Sequence, residues 1–417
     1  MHPLSPLLHG AKSLVVIVAA LSWQTLGQVG FGRFVGLVVV LTLVAIGLSL
    51  VSWLNTGYHV VGRELRIYEG LVWRRTRAIP LERLQAVDVI RPFLARLTGL
   101  AELRLEVVGG GKTEAPLAYL TTAEANALRE RLLHLAGQLH LTPTAVAAPT
   151  GRQLHVVRNQ DLLISQLLTP QTFSLPIGVA VVLHQFLAEG ASSFIAVAST
   201  ITATAGIMFQ PIRRVFDDWN FRLTRDGSGL RLRRGLVETR TQNVPLNRLQ
   251  AVTVTWPLLW RLAGWVRLRM DVAGYAGPDQ GGSEQVDRLL PVGDPAVARR
   301  IVAQVLPGVD LAALPLTPPP ARVGWLRPLT RTVLGAGLSE QVFAARHGLL
   351  TRHLVVVPYA RIQSVRVVQG PLQRLLGVAT VYADAAGGSG AAALHRDLTE
   401  AWRLAAELAD RARAARS

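Results

Sequence analysis

A chain of 417 residues has room for two to four domains. Half of it is hydrophobic and only 17% is charged, below the roughly 25% of a typical soluble domain, so apolar segments alternate with polar domains. The absence of cysteine excludes disulfides, thiolate nucleophiles and cysteine-based metal sites, and a net charge of +17 points to a polyanionic neighbour, anionic lipid ahead of nucleic acid.

The first apolar elements occupy residues 11–54. Leu14 to Gly30 is apolar, then diluted by Gln24 and Gln28, and no cleavage-site pattern marks it as a signal peptide. Phe34 to Leu54 carries no charge and is long enough to cross about 30 Å of hydrocarbon as a helix. With the short turn around Arg33, the two are expected as a transmembrane helical hairpin. A second hairpin is expected over 173–212, from Phe173–Leu187, interrupted by Pro176 and His184, and Ser193–Gln210. The competing reading of this second pair is buried soluble helix. Arg63, Arg66, Arg152, Arg158, Arg213 and Arg214 flank the pairs, whereas the turns hold only Arg33 and Glu189. That bias places the large domains in the cytoplasm and makes the chain a multi-pass plasma-membrane protein.

Between and after these segments one pattern occurs three times. Gly70–Val107 and Gly235–Val272 align without a gap, and a third copy begins at Gly348. The shared frame is G-[LV]-x(8)-P-x-x-R-[LI]-Q-x-V, followed by proline and R-L-x-G. Its recurring residues are Pro80, Arg83, Gln85, Arg96 and Gly99, then Pro245, Arg248, Gln250, Arg261 and Gly264, then Pro358, Arg361, Gln363, Arg374 and Gly377. The prolines end a strand, because proline cannot donate to the ladder. The residues around Val87 alternate with period two, as a half-buried strand does. A short helical turn follows, closed by a glycine expected at positive φ. Each copy continues through a Gly-rich hairpin and ends in an amphipathic helix, in the first copy Thr122–Leu135, with Thr121 or Thr122 as cap and Glu124 in its first turn. Six or seven short strands and one helix make a small barrel or split sandwich. The domains are expected at 55–137, 213–307 and 336–414, joined by a linker over 138–172 and a Pro-rich linker over 308–335, in which Leu314–Ala321 is expected to be exposed.

Chemistry is sparse along this chain. Gly109–Gly110–Gly111–Lys112–Thr113 ends like a phosphate-binding loop, but Glu106 stands where its first glycine is required and a strand follows. The ten histidines show no metal-ligand spacing. His184 reads as a neutral hydrogen-bonding group, and Asp217 with Asp218 as a solvated span end. No catalytic, cofactor or metal site is expected, and the protein is read as not an enzyme. The repeated arginines and glutamines are compatible with a fold requirement or with a shared ligand or partner surface.

The threefold motif resembles the bacterial pleckstrin-homology (PH) domain of the YdbS/YdbT kind, and the resemblance extends over nearly the whole chain except that no apolar hairpin precedes the third copy. It implies an α+β membrane protein with transmembrane hairpins and three PH-like domains, each closed by a C-terminal helix. It also implies a YdbS-like membrane partner and a role in envelope stress or antimicrobial-peptide tolerance. The expected activity is that of a protein-interaction scaffold at the inner leaflet. A sensor of anionic lipid headgroups, using Arg74, Arg75 and Arg77, is the alternative, and a transporter component is a third reading that the few spans disfavour.

Overall fold

The computed structural model describes residues 31–54, 57–69, 75–107, 114–135, 152–169, 174–189, 206, 209–226, 229–272, 288–386 and 390–416. The chain divides into two compact units, one of residues 1–149 with 237–243, the other of residues 150–236 with 244–417.

The first unit opens with helix α1, Phe31–Leu54. Strands β1 (Gly57–Val61), β2 (Glu64–Glu69) and β3 (Arg75–Pro80) form an antiparallel sheet in that order. A 3-10 turn over Leu81–Arg83 leads into β4 (Leu84–Pro92), a five-residue helix α2 (Phe93–Leu97), β5 (Leu100–Val107), β6 (Glu114–Thr121) and helix α3 (Thr122–Leu135). Alternate residues of these strands meet in one core, including Leu65, Ile67, Ile79, Val87, Val89, Leu103 and Leu105, and α3 closes it with Ala125 and Leu132. The helix starts where its sequence dictates: the Thr121 amide donates to the Glu124 carboxylate at 3.1 Å, and the Glu124 amide donates back to the Thr121 hydroxyl at 3.3 Å, a reciprocal capping box. The buried Arg129 ties the same helix to the sheet by donating to the Val87 carbonyl at 3.2 Å.

The second unit begins with β7 (Arg152–Val156) and α4 (Asn159–Leu167), so the stretch read as a linker over 138–172 contains regular structure. Helix α5 (Ser174–Glu189) and the helical residues 209–218 precede β8 (Arg222–Asp226) and β9 (Gly229–Arg234), which form a sheet in the order β9-β8-β7. Strand β10 (Glu238–Pro245) crosses the division between units. The motif then repeats: a 3-10 turn (Leu246–Arg248), β11 (Leu249–Trp256), α6 (Leu258–Leu262), β12 (Val266–Val272), β13 (Arg288–Gly293) and α7 (Pro295–Val305). The third copy runs through β14 (Gly335–Leu338), β15 (Val342–His347), β16 (Arg352–Pro358), a 3-10 turn (Tyr359–Arg361), β17 (Ile362–Val368), α8 (Pro371–Leu375), β18 (Val378–Ala385), β19 (Gly390–Asp397) and α9 (Leu398–Ala414). Its two sheets enclose a core that includes Phe343, Val357, Val381 and Ala393, and α9 covers it with Ala401 and Leu408. The Asp397 carboxylate caps α9 through the Thr399 amide at 3.0 Å.

The expected transmembrane hairpins are not seen. Taken over the described residues, no helix is long and apolar enough to cross a membrane. Helix α5 has 16 residues, about 24 Å at 1.5 Å per residue, short of a hydrocarbon core of about 30 Å. Leu14–Gly30 and most of Ser193–Gln210, the expected partners of α1 and α5, lie outside the described residues. The fold class is therefore corrected to an α+β protein of several sheets, with no membrane-crossing helix among the described residues.

The Pro-rich stretch is laid along the third copy. The amides and carbonyls of Thr317 and Ala336 exchange hydrogen bonds at 3.0 and 3.1 Å, and Pro319 is buried. Arg396 donates to the Thr317 carbonyl at 2.8 Å, and Arg322 reaches the Leu376 carbonyl at 2.7 Å. The bonds at Thr317 satisfy backbone groups of a stretch whose successive prolines cannot pair them locally.

Candidate functional site

The repeated motif builds the same local structure three times. Pro80, Pro245 and Pro358 close the third strand of each copy, and Arg83, Arg248 and Arg361 end the 3-10 turn that follows. Gln85, Gln250 and Gln363 are the second residues of β4, β11 and β17. The ladder to the next strand slips there in each copy, between Leu84 and Ala86, Leu249 and Ala251, and Ile362 and Ser364. The glutamine is thus the extra residue of a β-bulge. Gln250 is buried and donates to the Arg248 carbonyl at 3.1 Å, whereas Gln363 is exposed.

Gly99, Gly264 and Gly377 sit at φ of 71°, 66° and 61°. Each donates its amide to the carbonyl of the arginine three residues before it, at 3.3, 3.3 and 3.1 Å, which closes the five-residue helix and turns the chain into the next strand. Arg96, Arg261 and Arg374 are carried on α2, α6 and α8.

These elements join the copies to one another. Strand β4 pairs on its outer edge with the Glu238–Thr241 segment of β10, Val89 opposite Thr241 and Arg91 opposite Thr239. Strand β11 pairs with β16, Val254 opposite Leu354 and Trp256 opposite Arg352. Counted from Gly235 and Gly348, the glycines that open the motif, the two registers are identical. In both joints the third strand of one copy is added to the fourth strand of the copy before it. The second joint produces a continuous six-stranded sheet in the order β13-β12-β11-β16-β15-β14.

The motif arginine clamps each joint. Arg96 donates to the Thr239 hydroxyl at 3.4 Å. Arg261 donates to the carbonyls of Leu349 and Leu350 at 2.7 and 2.6 Å, and to Trp256 of its own copy at 3.4 Å. Both arginines therefore hold the chain that leads into, or begins, the incoming strand. The third copy presents the same parts without an occupant among the described residues. Strand β17 is the edge of a three-stranded sheet, β17-β18-β19, and the exposed Arg374 guanidinium has no hydrogen-bond or ion-pair partner there. The sequence carried the arginine, but not its reach into the neighbouring copy.

A second polar cluster was read differently from the sequence. Asp218 is buried, not solvated. Its carboxylate accepts from Arg234 at 3.3 Å and Arg288 at 2.5 Å. Arg214, Arg267, Arg269 and Arg288 line a small cavity with Asp218. Burial, then the charge of Arg288, pulls the Arg267 guanidinium down to about 10, and its plane lies 4.8 Å over Trp260. Asp217 sits 3.9 Å from Arg213. The alternation of Arg267 and Arg269 with buried Val266, Leu268 and Met270 was the available signal. His184 is exposed on α5, and no cluster of metal-ligating side chains occurs among the described residues. Gly109–Thr113 lies outside them.

Two layers of three strands closed by a C-terminal helix, repeated and joined edge to edge, define a tandem array of PH-like domains. The chain belongs to the bacterial PH domain family, whose model matches residues 13–136, 174–306 and 297–412. It is similar to the UPF0699 transmembrane protein YdbT of Bacillus subtilis (strain 168), with 24% identity over 274 residues, 58% of this chain and 55% of the relative. The matched region thus spans about half the relative's length. No solved structure matches.

Proposed function

We propose that this chain is a membrane-associated, non-catalytic scaffold whose PH-like domains are held together through strand edges and offer a further edge to a protein partner. The observation that carries this reading is the pair of internal joints. Two copies already use the fourth strand and the motif arginine to capture a strand, and β17 with Arg374 repeats that arrangement. Main-chain pairing supplies affinity in such strand addition, and alternate side chains supply selectivity. The relative's printed name, transmembrane protein, supports a membrane location. The basic flanks support cytoplasmic domains, and the resemblance supports a YdbS-like companion with a role in envelope stress. A photo-crosslinking residue placed at Val368 of the full chain in native membranes should give a covalent protein adduct. No adduct at Val368 or Val367 would sink the scaffold reading.

The arginine cluster around Asp218 favours a second reading, capture of an anionic headgroup. Full-length protein should then bind vesicles containing anionic phospholipid more tightly than neutral vesicles, and Arg269→Gln should weaken that preference. Equal binding to both vesicles removes this reading.

A further inference from the structure

We propose that β17 and Arg374 form a docking site for strand β3 of a second copy of this chain, so that copies associate head to tail through the geometry that already joins the repeats. The inference rests on the scaffold reading and names the occupant of its open edge. Three observations carry it. The two internal joints share one register, which identifies the third strand as the inserted element and the fourth strand as its receiver. Among the described residues the chain has one receiver without an inserted strand, β17, and one third strand whose outer edge is open, β3. The clamp arginine follows the same division, because Arg96 and Arg261 reach the incoming copy while Arg374 has no side-chain partner among the described residues.

Exposure agrees with a missing strand. Thr255, covered by β16 in the second joint, is 6% exposed, whereas Val368 at the equivalent position of β17 is 43% exposed. Transferring the shared register places Ala78 opposite Val365, Arg77 opposite Arg366, Thr76 opposite Val367 and Arg75 opposite Val368. The one meeting of like charges is relieved beforehand: Asp384, on the neighbouring strand, binds the Arg366 guanidinium through both oxygens, at 2.6 and 2.9 Å. Arg374 then lies where Arg261 lies in the second joint, on the five-residue helix that follows the receiving strand. The contact is heterologous, so it propagates into a ring or an open array rather than closing as a two-fold pair.

The chain has no cysteine, so single introduced cysteines report single contacts. Full-length Val367→Cys and Thr76→Cys proteins, purified in detergent, mixed and mildly oxidised, are expected to join as mixed disulfide dimers. Val367→Cys mixed with Arg77→Cys should join far less, because a shift of one residue moves the side chain to the other face of the strand. Arg374→Ala, which alters only an exposed side chain, should lower the first yield about tenfold, and Arg374→Lys should recover part of it. A Val367–Val367 disulfide in place of the mixed one, or no disulfide with Thr76, overturns the proposal. Capture of only a different protein at Val367 in native membranes also overturns it, and leaves the scaffold reading standing. Mixed disulfides together with native-membrane adducts only between copies of this chain support head-to-tail docking and identify the partner of the scaffold's edge as the chain itself.

Discussion

At Gly264 the backbone sits at φ 66° and a Cβ would meet nothing within 4 Å. Substitution there is strained by the dihedral and not by a clash. Gly264→Ala in the full chain should therefore lower unfolding free energy by about 1–2 kcal/mol. Gly264→Val should cost more, and Gly264→Asn less, because asparagine visits the left-handed region more readily. Denaturant unfolding of the three variants checks the order, and Asn costing as much as Val would contradict it. The requirement was legible in the sequence, since glycine recurs at the end of each R-L-x triplet. Gln242 was not legible. It is 2% exposed, and neither end of its amide finds a hydrogen-bond partner among the described residues. The equivalent position in the third copy is the buried Val355. Gln242→Val should remove a buried unsatisfied amide and stabilise the first joint by about 1–3 kcal/mol, read as a higher denaturation midpoint. A lower midpoint would show that the amide has a role in β10.

The strand joints set the behaviour of the elements. Arg261 contributes two bonds to carbonyls of the incoming chain. Arg261→Ala should weaken this joint by about 1–3 kcal/mol. Hydrogen exchange of β11 and β16 amides should accelerate while that of β18 and β19 changes little, and uniform acceleration would mean a global loss of stability instead. The same joint carries a pH response. The His353 ring bonds the Thr255 hydroxyl at 3.2 Å and stacks on His347 with centroids 5.2 Å apart. Burial lowers both imidazoles, and the charges of His347 and Arg269 lower His353 further. The folded value lies below the ordinary value near 6.5, so the fold favours the neutral ring. Its stabilising contribution is complete above that ordinary value and is lost as pH falls through the lower folded value. Protection factors of β16 amides should thus drop between pH 7.5 and pH 5, and His353→Gln should flatten the drop. An unchanged slope in that variant would assign the response to another group.

On the scale of the molecule, periodicity and the repeated prolines and glycines marked three copies, their strands and their closing helices, because those features are local. Strand partners between copies were not legible. The glutamine and arginine of the motif act across about 90 to 150 residues or at a bulge, and no spacing in the sequence states which edge is filled. The apolar segments misled in another way: a hydropathic run in sequence does not fix the length of the helix it forms, and no helix among the described residues is long and apolar enough to cross a membrane. The shared joint predicts a cost for separating the copies. A fragment of residues 1–149 keeps β4 but lacks Val237–Asn243, which belong to the same unit. It should aggregate through that bared edge, whereas adding a synthetic peptide of residues 235–245 should suppress aggregation. A soluble, monomeric fragment without the peptide would show the joint to be dispensable.

That division of a unit between distant stretches of chain also bears on biosynthesis. The first domain is not complete when its own closing helix, Thr122–Leu135, leaves the ribosome, because the strand that finishes its sheet lies about a hundred residues downstream. At ordinary elongation speeds that delay is roughly 5–20 s, long against the microseconds in which hairpins form. For that interval the nascent chain carries an unfilled edge next to any neighbour on the same message, and the order in which strands arrive decides whether the vacancy is filled from within.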